Sequence, residues 1–171
     1  MGAVFKTVSE FVRASLGGFD SHTPPPLRFG NGDLGLRISC ENMTQDEMKA
    51  RTRQFALRVI KLVESLPGTR AANTIGHQLL RCGTSVGANY RSACRAKSTA
   101  DFISKLSIVE EEADESIYWM ELLVESGTVR EDLLNRLIDE ANQIVSIIVK
   151  SIKTSKLKRN PKSQTRNPKS I

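Results

Sequence analysis

A chain of 171 residues is long enough for one domain with a substantial core, and its formal net charge is +6. Residues 43–149 hold 13 basic and 15 acidic groups, whereas residues 150–171 hold eight basic groups and no acidic one. This distribution excludes a uniformly basic nucleic-acid-binding fold, because only the tail makes the chain basic. No stretch approaches the roughly 20 apolar residues of a membrane span. The three cysteines lack CxxC spacing, so we expect a cytoplasmic protein with reduced thiols and no membrane role.

Residues 1–42 differ from the rest of the chain. They contain three consecutive prolines at 24–26, several glycines and no sustained apolar period. Two interpretations remain open: an assigned start upstream of the true start at Met43, which we favour, or a flexible N-terminal arm. In both, this extension lies outside the folded domain.

Residues 43–153 are predicted to form four helices. Three of the helix starts carry the capping-box pattern, in which a hydroxyl accepts from the N3 backbone N–H and an acid reaches back to the cap. The fourth start, for the second helix, follows Pro67 and Gly68 with Thr69 as the candidate cap. The three boxes pair Thr44 with Glu47, Ser98 with Asp101, and Thr128 with Glu131.

Apolar residues recur at helical spacing in all four segments. Short connections between long helices favour antiparallel neighbours, so the pattern predicts an all-α, up-down-up-down four-helix bundle. The predicted core positions are, helix by helix, Phe55, Val59, Leu62 and Leu66; Ile75, Leu79, Cys82, Val86, Tyr90 and Ala93; Phe102, Leu106, Val109, Ala113, Ile117, Met120 and Val124; and Leu134, Leu137, Ala141, Ile144, Ile148 and Ile152.

Residues 154–171 are predicted to be a disordered basic tail, because Pro, Ser, Asn and Lys cannot build a core. Within it, RNPKSQT at 159–165 is followed by RNPKSI at 166–171. The repeat has two equally good explanations, a translated repetitive DNA sequence or a selected basic tail.

Polar residues flank the apolar stripes of the second and third helices. If these helices are antiparallel, residues whose numbers sum to about 195 lie at the same height. Arg81 is then level with Glu112 and Glu115, which predicts an ion pair within or between subunits rather than ordinary solvated charges. Gly83 and Gly87 either permit a close approach of another helix or mark a locally weak helix. Together with an extra apolar face on the third helix, which carries Ile108, Trp119 and Leu123, the glycine pair suggests an oligomer contact. The candidate assembly positions are Arg81, Ser85, Asn89, Asp101, Glu112, Glu115 and Trp119.

The sequence offers no recognisable catalytic or cofactor site. It has no phosphate-binding glycine loop, and His22 and His77 do not form the Glu-x-x-His motifs of di-iron bundles. Cys82 lies on the core stripe without a His–acid pair. We therefore predict a protein that is not an enzyme and binds no metal or cofactor.

Exposed basic groups leave nucleic-acid binding open, although solvated helix faces are the commoner explanation for such clusters. Binding of this kind would be directed at phosphates and sensitive to salt. The first helix carries one basic cluster, Lys49, Arg51, Arg53, Arg58 and Lys61. The candidate nucleic-acid-binding residues are Arg70, Arg91, Arg95, Lys97, Lys150, Lys153, Lys156, Lys158 and Arg159.

Three strings occur in order along the chain: TSVGANYR at 84–91, DFI-x-KL at 101–106 and YW-x-ELL at 118–123. With FALRVIKLVESLP at 55–67, they resemble the bacterial four-helix-bundle family of 23S rRNA intervening-sequence proteins. That family is similar to the accessory variability determinant protein of diversity-generating retroelements. The resemblance covers about residues 43–153. The matching motif positions are Arg81, Ser85, Gly87, Asn89, Tyr90, Arg91, Asp101, Phe102, Glu112, Glu115 and Trp119.

The resemblance implies a homopentamer without known enzymatic activity. The retroelement relative partners a reverse transcriptase and binds nucleic acid through basic surfaces. For this chain, the leading expectation is a non-enzymatic oligomer that contacts RNA or DNA phosphates non-specifically. The alternative is a protein-binding adaptor, for example for a reverse transcriptase-like protein, with no direct nucleic-acid role.

Overall fold

The structure, a computed structural model, describes residues 43–159, so the predictions for residues 1–42 and 160–171 lie outside it. This part of the chain consists of four helices and contains no strand. The helices are α1 (Gln45–Glu64), α2 (Arg70–Ala93), α3 (Thr99–Glu125) and α4 (Glu131–Arg159). The predicted all-α, bundle-like fold is confirmed. None of these helices has the length and apolar character needed to cross a membrane.

Consecutive helices pack against each other, and α1 also meets α4 at far fewer points. The interior between the helices is formed by the predicted apolar stripes, whose central members such as Phe55 and Leu106 are fully buried. Four predicted core residues are only partly buried and pack against the edge of the core: Leu66, Ile75, Phe102 and Val124. Five further core members were not among the predicted core positions: Met48, Ala72, Leu123, Val129 and Ile147.

Side-chain caps begin three of the helices. At α1, the Glu47 N–H donates to Thr44 Oγ1 (3.2 Å) and the Thr44 N–H donates to Glu47 Oε2 (2.7 Å), which confirms the full capping box. Thr69 accepts from the Ala72 N–H at 3.2 Å and caps α2 as predicted.

The predicted cap at Ser98 is half correct. Ser98 Oγ accepts from the Asp101 N–H (3.1 Å), but the Asp101 carboxylate accepts from the N–H of Lys97 (2.9 Å), one residue earlier than the box requires. Ser98 therefore caps the N-terminus of α3, but the Asp101 carboxylate accepts from Lys97 instead of from Ser98.

The predicted capping box at Thr128 is wrong. The Thr128 hydroxyl lies 2.8 Å from that of Ser126, and α4 begins only at Glu131. The chain turns at Gly127, whose φ of 68° is left-handed, and the Val129 N–H donates to the Leu123 carbonyl at 3.0 Å. This C-terminal motif of α3 uses the residues that the sequence pattern had assigned to the next helix start.

The predicted end of the bundle at residue 153 is too early. Helix α4 continues to Arg159, so residues 154–159 are helical rather than part of a disordered tail. Ile152 is buried against the core, and the following Lys, Ser and Leu residues contain no glycine or proline that would stop the helix.

Gly83 and Gly87 produce a close helix approach, but within the chain. A Cβ at Gly83 would lie 2.8 Å from Val59 Cγ1 of α1, and one at Gly87 would lie 3.4 Å from the Thr52 carbonyl oxygen. The glycine pair therefore serves the α1–α2 packing, and the oligomer contact suggested for it is wrong.

Candidate functional site

A polar cluster on the outer side of the α2–α3 pair centres on Arg81. Its Nη2 donates to Glu115 Oε1, its Nη1 lies 3.5 Å from Glu112 Oε2, and its Nε donates to Gln78 Oε1 at 3.3 Å. The predicted ion pair is confirmed as a contact between two helices of one chain. One guanidinium thus holds two carboxylates from successive turns of α3 and fixes the register of the two helices.

Trp119 extends this cluster. Its indole Nε1–H donates to Glu115 Oε1 at 3.0 Å, and its ring meets that of Tyr118 edge-on, with centroids 5.0 Å apart. The hydrogen bond from Arg81 and then that from Trp119 lower the pKa of the Glu115 carboxyl. Glu115 is consequently an ionised, doubly hydrogen-bonded group at the centre of the cluster.

Glu112 is the less satisfied of the two carboxylates. Its Oε2 is buried and accepts no hydrogen bond from any residue that the structure describes. Burial raises the pKa of Glu112, although the Arg81 charge opposes this. The cause is geometric: Arg81 Nη1 lies 3.5 Å from Glu112 Oε2, which exceeds the usual N–H···O hydrogen-bond length of up to about 3.2 Å.

Two small polar groups lie deeper between the same helices. Ser116 Oγ donates to Cys82 Sγ at 3.2 Å, and Cys82 is fully buried. Burial raises the pKa of the Cys82 thiol, which keeps it protonated and weakly nucleophilic. Cys82 and Cys94 form no disulfide, and Cys40 lies outside the described residues.

The other predicted assembly positions do not join the Arg81 cluster. Asp101 pairs with Lys105 one turn later, and hydrogen bonds from Lys105 and from the Lys97 N–H lower the pKa of Asp101. Ser85 and Asn89 are half-buried on the α3 side of α2, and their side chains make no hydrogen bond within residues 43–159. The seven positions therefore form one connected cluster, one helix cap and two unpaired polar groups.

One end of the bundle gathers several of the predicted phosphate-binding residues. The start of α1, the α2–α3 turn and the end of α4 together line a surface cavity of about 310 Å³, to which Gln45, Ser98, Thr99, Ser155 and Lys158 contribute. Exposed basic side chains lie around this end, on the end of α2, the α2–α3 turn and the C-terminal part of α4: Arg91, Arg95, Lys97, Lys150, Lys153, Lys156 and Lys158.

Arg70, another predicted phosphate-binding residue, stands apart from that group. Arg70 is exposed at the first residue of α2, 21 positions before Arg91, so the helix separates them by about 32 Å. Arg159 is the last described residue of α4. The structure therefore gathers the predicted residues at one end, with Arg70 at the other end of α2.

A second polar contact, missed by sequence reasoning, closes the side where α1 meets α4. Arg51 Nε donates to Glu140 Oε1, and its Nη2 donates to Gln143 Oε1, both at 2.6 Å. The side chains of Arg51 and Glu140 are only 10% and 23% exposed. The sequence had grouped Arg51 with the solvated basic residues of the first helix, because no local spacing identifies a partner 89 residues away.

Two further arginines lie near Glu140. Arg58 is half-buried, and it forms no hydrogen bond or ion pair within the described chain. Burial lowers the pKa of the Arg58 guanidinium. The negative charge of Glu140 raises that pKa, and the positive charge of Arg136 lowers it further. On the α1–α4 side, Arg51 therefore contacts Glu140 directly, and Arg58 interacts with both Glu140 and Arg136.

The opposite sign of charge occupies the groove between α3 and α4. A surface cavity of about 360 Å³ there is lined by Ser107, Glu110, Glu111, Asp114 and Val145. The groove between α3 and α4 is therefore acidic along its α3 side.

These features define a class: a small all-α bundle in which polar side chains join neighbouring helices. Within this class, the chain belongs to the 23S rRNA-intervening sequence protein family, whose model matches residues 45–150. No curated protein matches the chain by sequence.

A solved structure is similar to this one. It is the crystal structure of a protein of unknown function from the S23 ribosomal protein family of Bacteroides thetaiotaomicron. The two proteins are 34% identical, the match covers 65% of this chain and 99% of that chain, and the TM-score is 0.61. The resemblance stated from the sequence is confirmed at the level of the family.

Proposed function

We propose that this protein is a non-enzymatic, cytoplasmic oligomer that contacts RNA or DNA phosphates through the basic end of its bundle. One observation carries the proposal: the α2–α3 turn and the last turns of α4 meet around one cavity, which brings Lys97 and Lys158 to the same end. Residues 150–171 add eight basic groups and no acid, so nothing in that segment neutralises this end. The acidic α3–α4 groove disfavours an approach of nucleic acid from that side.

We further propose an antiparallel up-down-up-down arrangement assembled as a ring of five. Connections of a few residues between long helices support the first part. For the second, α3 presents Ile108, which is 39% exposed, one turn before Glu112 and on the same helix face as the half-buried Trp119. A patch with an aromatic and an arginine at its centre has the composition of an interface core.

The function is tested by gel retardation of RNA and DNA by the full chain across a salt series. We expect retardation at about 50 mM salt and release near or above physiological ionic strength, with little sequence preference. Replacing Lys153, Lys156 and Lys158 together with Gln should lower the slope of log affinity against log salt by about 2 to 3. Each lost phosphate contact removes roughly one released counterion.

Single substitutions provide the matched control for this experiment. Lys158→Gln and Arg70→Gln each remove one exposed positive charge, from the basic end and from the first residue of α2. Only Lys158→Gln should weaken binding. A chain of residues 43–159 separates the bundle from the tail. If neither it nor the full chain retards nucleic acid, the phosphate-binding proposal is wrong.

Assembly is tested by Arg81→Leu. The variant removes the guanidinium that holds Glu112 and Glu115, so we expect intact helices by circular dichroism and a smaller particle by light scattering. Arg91→Leu is the control, because Arg91 is exposed on the same helix and forms no ion pair within the described chain. An unchanged particle size for Arg81→Leu would contradict a role in assembly.

The alternative function is a protein-binding adaptor, for example for a reverse transcriptase-like protein. It is favoured by the exposed Tyr118, 53% accessible, whose ring packs edge-on against Trp119. Exposed aromatic groups are common anchors in protein interfaces. If nucleic acid is not bound, this becomes the leading proposal.

A further inference from the structure

The side of the bundle where α1 meets α4 holds more positive charge than its own carboxylates balance. Arg51 and Arg58 are seven residues apart and therefore lie on one face of α1. Glu140 is the acidic group that interacts with Arg58, and Arg51 already donates to its Oε1 at 2.6 Å. Arg136 lies one turn before Glu140 on α4, and Arg58 lies two turns after Arg51 on α1, so both lie on the same side of the Arg51–Glu140 contact.

Arg58 is the unsatisfied member of this group. Its side chain is half-buried, yet none of its donors meets an acceptor among residues 43–159. A guanidinium has five N–H donors and stays protonated in proteins, so it cannot escape burial by losing a proton. Its donors therefore need water or an anion, and an anion also offsets the repulsion from Arg136.

We propose that Arg58 and Arg136 form a binding site for a phosphate group on the α1–α4 side of the bundle. The planar fork of a guanidinium matches two oxygens of a phosphate, and a tetrahedral phosphate offers further oxygens to a second guanidinium. Arg51 is excluded as a primary ligand, because Glu140 and Gln143 already accept from it.

This site is separate from the basic end of the bundle. Arg58 lies 13 residues after Gln45, which places it about 20 Å along α1 from the start of the helix. Nothing in the proposal depends on nucleic-acid binding by Lys158 and its neighbours. If nucleic-acid binding at the basic end is disproved, the proposed phosphate site is unaffected, and the reverse also holds.

The probe is inorganic phosphate, titrated into the full-length protein by isothermal calorimetry at constant ionic strength set with chloride. We expect saturable binding to the wild type, and a loss of affinity of roughly tenfold in Arg58→Gln and in Arg136→Gln. The control is Arg53→Gln, which removes an exposed charge from the same helix and should bind phosphate like the wild type. Thermal unfolding of each variant confirms that it folds.

Two results would overturn the proposal: no saturable phosphate binding by the wild type, or an equal loss in Arg53→Gln, which would indicate a diffuse charge effect. A short single-stranded RNA then identifies the source of the phosphate. If Arg58→Gln also weakens RNA binding, the site takes nucleic-acid phosphates. If only inorganic phosphate binding is lost, it takes a free or small-molecule phosphate. Both results support the site.

Discussion

Gly83→Ala should destabilise the bundle, whereas Gly87→Ala, one turn away, should stabilise it. Alanine in place of glycine within a helix normally contributes up to about 1 kcal/mol of stability. At Gly87 the new Cβ would meet the Thr52 carbonyl oxygen at 3.4 Å, an ordinary contact, so this gain should remain. Both variants replace a glycine of α2 with alanine, so they differ only in what the new Cβ contacts.

At Gly83 the new Cβ would overlap Val59, lying 2.8 Å from Cγ1 and 2.9 Å from Cγ2. Val59 is fully buried and β-branched, so its side chain has one favoured rotamer in a helix and no space to rotate. Overpacking of this kind costs about 1–3 kcal/mol. We expect the two variants to differ by roughly 2 kcal/mol in free energy of unfolding, measured by denaturant titration. Equal stabilities would show that α1 does not pack this closely on α2.

Glu140→Ala should cost about 2–3 kcal/mol of stability, because it leaves Arg51 without its carboxylate in a place where that side chain is only 10% exposed. It also removes the carboxylate that partly offsets the charge of Arg58. Chemical denaturation at low salt measures the loss. Asp139→Ala is the control, since Asp139 is exposed and forms no ion pair within residues 43–159, and it should change little.

A double variant separates the loss of the pair from the cost of the unpaired charge. Arg51→Met with Glu140→Leu removes both charges and should recover most of the stability lost in Glu140→Ala. Arg51→Met and Glu140→Leu are also measured singly, and if the double variant loses as much stability as the two single variants together, the two residues are not coupled. The contact would then contribute nothing specific to the α1–α4 side.

The sequence by itself determined the fold class, because the apolar spacing within each helix is a local property that burial then satisfies. Phe55, Leu106 and Ile144 were all correctly placed in the core, and Thr44 and Thr69 were correctly identified as caps. The Arg81 contact with Glu112 and Glu115 was also predictable, because a turn of a few residues between two long helices sets which residues face each other.

Only the tertiary structure decided the features that depend on residues far apart in sequence or on competition for the same atoms. Arg51 finds its partners 89 and 92 residues away, and no local period encodes that distance. Gly83 and Gly87 turned out to face α1 of their own chain, because their spacing requires a close neighbour but does not say which one. Thr128 does not cap α4 as predicted, because the turn at Gly127 and the burial of Val129 determine where α4 can begin.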